Sequence, residues 1–246
     1  MKTNNNIILI TGGGSGLGLE LAKQLYSLNN KILICGKDRS ELNRVKELLP
    51  NISIFKCDLT RDEEINSLVE SIKNEFPEIN ILINNAGVGY KYDFITDDNA
   101  LDKTVEEIQV NYLAYVKLIR LFLPILTLKS NAAIVNINTG LAFVPMSSLP
   151  TYSASKSAMH FFSRSFRHQL KNNNSKIKLF EVLPPVMDIK LAKDIHFYKL
   201  KPEKVASIIV KGLQRDRYFM PIGISRILSF SKNFMAGFIE WYLNKI

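Results

Sequence analysis

The 246-residue sequence is poor in the residues that build disulfide frameworks and metal sites. It contains only two cysteines, Cys35 and Cys57, each at the end of an apolar run where a small buried thiol is the usual explanation. Of its three histidines, His160 and His168 are eight residues apart in a predicted helix and lack matching cysteines or carboxylates. We therefore expect no disulfide and no metal site.

Long apolar segments are also scarce. The apolar run near the N-terminus is about five residues long, short of the roughly 7–15 of a secretory signal peptide. The run at 113–128 is more apolar, but Lys117, Arg120 and Pro124 interrupt it, which favours a buried helix over a membrane span. We expect a cytoplasmic protein without a transmembrane segment.

Concentrated charge is missing as well. The 32 basic and 23 acidic residues leave a formal net charge of +9, but the lysines are scattered over helical segments. No basic tail and no nucleic-acid recognition element stands out, so we expect a lysine-rich solvated surface and no nucleic-acid partner. A few of these charges could serve a cofactor phosphate.

Short β-branched runs alternate with longer amphipathic ones along most of the chain. This pattern predicts strands at 7–11, 31–35, 52–56, 79–84, 132–138 and 177–183, and helices at 17–28, 40–49, 63–76, 103–126 and 151–170. Strands that are apolar on both faces are typical of a parallel sheet covered by helices on either side. We predict an α/β fold, a single doubly wound Rossmann-type domain over residues 1–246, with a helical segment at its C-terminal end.

The first strand leads into a glycine-rich turn, T-G-G-G-S-G-L-G, at residues 11–18. Glycines let a backbone approach a pyrophosphate closely, and the helix that follows stabilises its charge through free N–H groups. The spacing is T-G-x-x-x-G-x-G instead of the usual G-x-G-x-x-G, so a dinucleotide site and a plain tight turn both remain open. The candidate binding residues here are Gly12, Gly14, Ser15, Gly16, Leu17 and Gly18.

This spacing resembles that of the short-chain dehydrogenase/reductase family, and further matches follow in the family's order. They are the N-N-A-G motif at 84–87, Asp58 after the third strand, Asn111, and the Y-x-x-x-K motif of Tyr152 and Lys156. The resemblance covers about residues 7 to 190, which would form the cofactor-binding and catalytic core, with 185–246 as a substrate loop and C-terminal helix. It implies an NAD(P)-dependent oxidoreductase, a homodimer or homotetramer formed through helices at 104–128 and 151–171, and further cofactor-binding residues at Asp58, Leu59, Asn85, Ala86, Gly87, Tyr152, Lys156, Pro184 and Val186.

The chemistry is expected at Tyr152 and Lys156. Residues four apart on a helix share one face, so the Lys156 ammonium should lower the pKa of the Tyr152 phenol below about 10. Tyr152 could then exchange a proton with a substrate oxygen near neutral pH. The resemblance further implies that Lys156 binds the nicotinamide ribose and that Asn111 helps to hold a water molecule for proton relay.

The hydroxyl that would orient the substrate is predicted to be that of Thr139. It lies 13 residues before Tyr152, where the family places a serine, whereas Ser147 and Ser148 are better interpreted as residues at the pocket edge. Threonine keeps the hydroxyl but adds a methyl group that crowds the pocket. The pocket would be bordered by Phe143, Val144, Pro145, Met146, Pro185, Val186 and Met187, which favours a partly apolar small-molecule substrate.

Two features around the sixth strand depart from the common family pattern. Pro185 replaces a glycine, and Ile189 replaces the threonine that commonly contacts the nicotinamide carboxamide, so one side-chain hydrogen bond is lost unless Asp188 or the backbone substitutes. The two prolines, together with T-G-L-A-F-V-P at 139–145, resemble the DltE-type oxidoreductase branch of the family. This branch does not identify the substrate.

The residues that end the second strand bear on the choice between NADP and NAD. An acidic residue there would accept hydrogen bonds from the ribose, whereas a basic one favours a 2′-phosphate. Gly36 stands where NAD-binding members of the family have an acidic residue, and Lys37 stands where NADP-binding members usually have arginine, which favours NADP. Asp38 and the absence of a basic residue at Ser15 leave NAD possible. Two other functions stay open: a hydrolase that uses Tyr152 or Thr139, and a nucleotide-binding sensor without turnover.

Overall fold

The fold centres on a seven-stranded sheet in which every strand pairing is parallel. The computed structural model describes residues 1–185 and 200–231. The strands lie in the order β3-β2-β1-β4-β5-β6-β7. Their bounds are Ile7–Thr11 (β1), Lys31–Gly36 (β2), Ser53–Lys56 (β3), Ile81–Asn84 (β4), Ala133–Ile137 (β5), Lys178–Leu183 (β6) and Phe219–Pro221 (β7).

Helices connect successive strands and cover both faces of the sheet. They are Gly16–Tyr26 (α1), Arg39–Leu48 (α2), Asp62–Glu75 (α3), Ala100–Ile108 (α4), Ala114–Leu126 (α5), Pro150–Asn172 (α6), Pro202–Gln214 (α7) and Ile224–Ser231 (α8). A π-helical turn, Gln109–Leu113, joins α4 to α5, and a 3-10 turn, Gly140–Ala142, follows β5.

The strands are buried because both of their faces contact helices. On one face, Ile8, Ile10 and Ile34 pack with apolar residues of α1, α2 and α7. On the other face, Leu9 and Leu82 pack with residues of α3, α5 and α6. This arrangement of a helix layer on each face of the sheet confirms the predicted doubly wound parallel sheet.

Among the residues that the structure describes, the helical stretch Ala100–Leu126 is long and apolar enough to cross a membrane by length and composition alone. Its α5 part places Tyr115, Leu118 and Phe122 in the core against the sheet. Core helices pass the same length test, and the side chains of α5 contact protein on one side.

All six predicted strands are present, with small shifts at their ends, but the structure adds two elements. The strand β7 is only three residues long and ends at Pro221, so it carries no periodic pattern. The helix α7 begins at Pro202, a residue suited to a first helical turn, and packs against α1. Helix α8 forms the first part of the helical segment predicted at the C-terminal end, and the rest of that segment lies outside the described residues.

Candidate active site

The glycine-rich turn is closely packed against the loop that follows β4. Gly12 has a φ of +63°, and a Cβ added to it would lie 2.9 Å from the Cα of Ala86. A Cβ on Gly18 would lie 2.2 Å from the Gly12 carbonyl oxygen. Neither position accepts a side chain, so glycine is required at both for the turn to pack this closely against the segment after β4 and the start of α1.

The helix α1 begins immediately after this turn. Its N-cap residue, Ser15, is extended, and its side chain makes no capping hydrogen bond. The first turn of α1 contains no acidic side chain. The amino end of α1 therefore presents backbone N–H groups and a positive dipole end to an anion, as a dinucleotide site requires; Leu17 is buried beneath it.

Thr11, at the end of β1, fastens the N-N-A-G segment to the turn. Its hydroxyl accepts hydrogen bonds from the backbone N–H groups of Asn85 and Ala86, at 2.8 and 2.9 Å. The Asn85 side chain donates back to the Thr11 carbonyl at 2.9 Å. The segment that the sequence predicted to border the cofactor is thus held directly beside the glycine-rich turn.

Asp58 and Lys37 lie on the β2 side of the same turn. Burial acts to raise the pKa of Asp58, but hydrogen bonds from Thr60 and the charges of Lys37 and Arg61 hold it below its ordinary value. The Lys37 ammonium also lies 3.6 Å from a carboxylate oxygen of Glu106. Asp58 and Lys37 thus lie near each other beyond the carboxyl ends of β3 and β2, and Leu59 beside Asp58 is buried.

Asn111 is buried in the π-helical turn, an irregularity often found at functional sites. Its amide oxygen accepts from the Val88 N–H at 3.0 Å, and its amide nitrogen donates to the Val88 carbonyl at 2.8 Å. The same nitrogen donates to the Ser155 hydroxyl at 3.1 Å. Asn111 therefore ties the segment after Gly87 to the helix that carries Tyr152.

The Tyr152 hydroxyl meets Thr139 at the carboxyl ends of the strands. Tyr152 lies in the first turn of α6, and Thr139 follows β5 and caps the 3-10 turn. The Thr139 side chain lies close enough to the Tyr152 phenol to act on it, and this contact lowers the pKa of the phenol. Of the three upstream hydroxyl residues weighed from the sequence, Thr139 is the one placed against the tyrosine.

Lys156 is buried one turn further along α6. Its ammonium donates to the Ile137 carbonyl at 3.1 Å and lies 5.1 Å from the centre of the Tyr115 ring. A Cβ on Gly87 would be 3.7 Å from this ammonium, so Gly87 keeps the approach to Lys156 open. Burial lowers the pKa of Lys156 to about 7.

The prediction that Lys156 lowers the pKa of Tyr152 below its ordinary value is wrong, because the pKa of Tyr152 in this structure is raised. Burial raises the pKa of Tyr152 to about 12; the Thr139 contact lowers it and the Glu107 charge raises it. The helical spacing predicted the proximity of Lys156 correctly but could not show how strongly both groups are desolvated. A desolvated amine loses charge, so it stabilises a phenolate less.

Sequence reasoning missed a buried polar network behind Thr139. The Asn138 amide donates to Glu181 Oε1 at 2.8 Å and to the Lys156 carbonyl at 3.1 Å, and it accepts from the Thr139 N–H at 2.9 Å. His160 Nδ1 lies 2.9 Å from Glu181 Oε1. The one available signal was an acidic residue, Glu181, inside an otherwise apolar strand.

Glu107 is a second missed residue. Its side chain is fully buried; one oxygen accepts from the Tyr90 N–H at 2.8 Å, and the other has no hydrogen-bond partner among the described residues. Burial raises the pKa of Glu107 to about 7. Glu107 and Asn111 are one helical turn apart, so both clamp the segment after β4.

Most of the remaining predicted residues lie at the end of the first described range or outside it. The Pro184 carbonyl accepts from the Ser225 hydroxyl at 2.8 Å, and Pro185 contacts the turn at Gly223. Val186, Met187, Asp188 and Ile189 lie outside the described residues. Phe143, from the predicted pocket, packs edge-on against His160 with ring centres 4.6 Å apart.

Comparison with known proteins identifies the family. The family model described as short chain dehydrogenase matches residues 6–197. The uncharacterized oxidoreductase DltE of Bacillus subtilis is 41% identical over 218 residues, which are 89% of this chain and 83% of that protein.

Solved structures share the fold. A short chain dehydrogenase from Burkholderia cenocepacia in complex with NADP has a TM-score of 0.87 at 21% identity and covers 99% of both chains. A short chain dehydrogenase/reductase from Burkholderia phymatum in complex with NAD has a TM-score of 0.85 at 20% identity and covers 100% of this chain and 98% of that one. The chain therefore belongs to the short-chain dehydrogenase family and is an oxidoreductase.

Proposed function

We propose that this protein transfers a hydride between NADP(H) and a small carbonyl compound or its secondary alcohol. The observation that carries the proposal is the contact of the Thr139 side chain with the Tyr152 phenol, one helical turn from Lys156 and beside the N-N-A-G segment. This arrangement supplies a proton donor and a second hydroxyl to one substrate oxygen.

The glycine-rich turn and the amino end of α1 fit a dinucleotide, because the first turn of α1 carries no acidic side chain and the Ser15 side chain leaves its backbone N–H groups uncapped. Asp58 and Asn85 would border its adenosine half, and Lys156 and Gly87 its nicotinamide half. When bound, the nicotinamide supplies or accepts the hydride, while the protein supplies orientation and the proton.

The pKa of Tyr152, raised to about 12, favours reduction of a carbonyl at neutral pH. A phenol with this pKa stays protonated, so it can donate its proton to the substrate oxygen as negative charge develops there. Thr139 donates a second hydrogen bond to the same oxygen, and the ammonium of Lys156 stabilises the phenolate that remains.

Lys37 supports NADP over NAD. It follows β2 directly, its charge acts on Asp58, and more than half of its side chain is exposed for contact with a phosphate. Solved relatives of the same fold were crystallised with NADP and with NAD, so both nucleotides belong in the test.

We further propose a partly apolar substrate and one domain over residues 1–246. A cytoplasmic homodimer or homotetramer is also part of the proposal, built through α4, α5 and α6. Leu101 and Val105 on α4 and Phe161 on α6 support this contact, since each is at least half exposed. Phe162 and Phe166, in contrast, pack against the core.

The test is NADPH-dependent reduction of a panel of ketones and aldehydes with apolar substituents. Tyr152→Phe should lower kcat by roughly 10²–10⁴-fold with little change in NADPH affinity, because it removes only the proton donor. Tyr26→Phe, in a half-buried tyrosine of α1, is the matched control. Full activity of Tyr152→Phe would refute the proposed role.

A further inference from the structure

Lys37, Glu106 and Tyr90 form one polar contact, in which each oxygen of the Glu106 carboxylate has its own partner. One oxygen of Glu106 lies 3.6 Å from the Lys37 ammonium, and the other accepts the Tyr90 hydroxyl at 2.7 Å. The Tyr90 backbone N–H donates in turn to Glu107, the next residue of α4, at 2.8 Å. The carboxylate of Glu106 is thereby held toward Lys37.

This contact crosses the nucleotide side of the glycine-rich turn. The strand order β2-β1-β4 places the segments after β2 and after β4 on opposite sides of the turn that follows β1. Lys37 follows β2, and Tyr90 lies in the segment after β4. An ion pair between these two sides therefore lies where the adenosine half of a dinucleotide would approach.

Tyr90 keeps its proton in this contact. Burial, the hydrogen bond to Glu106, and the charges of Glu106 and Glu107 raise its pKa to about 12. Its hydroxyl therefore remains a donor that anchors the Glu106 carboxylate throughout the neutral range.

We propose that Glu106 is a selectivity residue that weakens binding of a 2′-phosphorylated dinucleotide relative to its unphosphorylated form. The inference rests on the proposed nucleotide site. A 2′-phosphate that is recognised by Lys37 must take the ammonium from Glu106 and places its own negative charge beside that carboxylate. A 2′-hydroxyl is uncharged, so it neither displaces the Lys37 ammonium from Glu106 nor is repelled by the carboxylate.

The size of the effect is limited by solvent. The Lys37 side chain is 68% exposed and that of Glu106 is 31% exposed, so their interaction is that of a partly solvated ion pair. Neutralising Glu106 should tighten NADPH binding by about two- to fivefold. The gain should shrink at high salt, since screening weakens exposed pairs.

The experiment measures the Kd values of NADPH and NADH by nicotinamide fluorescence for the full-length protein and two variants. Glu106→Gln keeps an oxygen for the Tyr90 hydroxyl and removes the charge. Glu47→Gln makes the same change of net charge on the exposed surface of α2, away from the turn, and serves as the control. We expect tighter NADPH binding and unchanged NADH binding in Glu106→Gln, and unchanged binding of both in Glu47→Gln.

A double variant separates the two contributions. In a Lys37→Met background, Glu106→Gln should tighten NADPH less, because no ammonium is left to release. Equal tightening of NADPH and NADH, or no change in either, would overturn the role of Glu106 while leaving the proposed function intact. If the unmodified protein bound neither nucleotide, the proposed function and this inference would both fail.

Discussion

Replacing Glu107 by glutamine should make the protein more stable than the wild type by an amount that grows as the pH rises from 5 to 8. Glu107 is fully buried, and burial raises its pKa from about 4.5 to about 7. Between these values the folded protein binds one proton more than the unfolded chain, so stability falls as the pH rises. Above about 7, the folded protein carries the full cost of a buried charge.

The magnitude follows from the same two values. A pKa displaced from about 4.5 to about 7 corresponds to about 3 kcal/mol of unfolding free energy between full protonation and full ionisation, and this value already includes the hydrogen bond from the Tyr90 N–H. About 1 kcal/mol of it is lost by pH 5, where the unfolded chain is mostly ionised, which leaves about 2 kcal/mol between pH 5 and pH 8. Glutamine cannot ionise but keeps an oxygen for the Tyr90 N–H. The stability of the variant relative to the wild type should therefore increase by about 2 kcal/mol from pH 5 to pH 8.

Urea unfolding of both proteins across this pH range measures the difference directly. Other carboxylates contribute equally to the two proteins and cancel, and Glu70→Gln, at an exposed position of α3, shows the effect of the net charge alone. A constant difference between wild type and Glu107→Gln from pH 5 to pH 8 would refute the reasoning, because it would mean that Glu107 ionises normally.

Three further predictions concern the groups around Tyr152. The reduction rate should fall as the pH rises through about 7, where Lys156 loses its charge, and Lys156→Arg should flatten this profile at a lower rate. Asn138→Ala should lower the unfolding free energy by about 2–4 kcal/mol and should also lower the rate per folded molecule. Asn136→Ala, which loses one buried hydrogen bond to Ser163 of α6 and one from Asn84, should lower only stability. Thr139→Ser should stay active in steady-state assays, whereas Thr139→Val should lose at least about tenfold through the missing donor. An Asn136→Ala protein as slow as Asn138→Ala, or an active Thr139→Val, would contradict these roles.

The fold was predictable because its elements follow from local patterns. The glycine-rich turn between β1 and α1 is typical of the first strand-to-helix connection of this fold. Strands that are apolar on both faces require helices on either side. In contrast, β7 is too short to carry a period, and Pro221 argues against a strand. Its place at the sheet edge depends on pairing with β6, which no local pattern encodes.

The site was predictable in its positions but not in its electrostatics. The spacing between Thr139 and Tyr152 predicted Thr139 as the partner hydroxyl, and the structure places the Thr139 side chain against the phenol. The pKa values of Tyr152 and Lys156 depend on burial by segments distant in sequence, so the spacing alone gave the wrong direction for Tyr152. Glu107 and Glu181 were missed for the same reason, since nothing nearby in the sequence shows that their carboxyl groups are buried.

The most direct test of the central claim is the fate of the hydride. NADPH that carries deuterium at its transferable position should be incubated with the protein and an active carbonyl substrate, and the alcohol product analysed by mass spectrometry. We predict one deuterium on the carbinol carbon, with product formation lost in Tyr152→Phe. Product without deuterium, or turnover that needs no nicotinamide nucleotide, would contradict the assignment as a Tyr152-dependent carbonyl reductase.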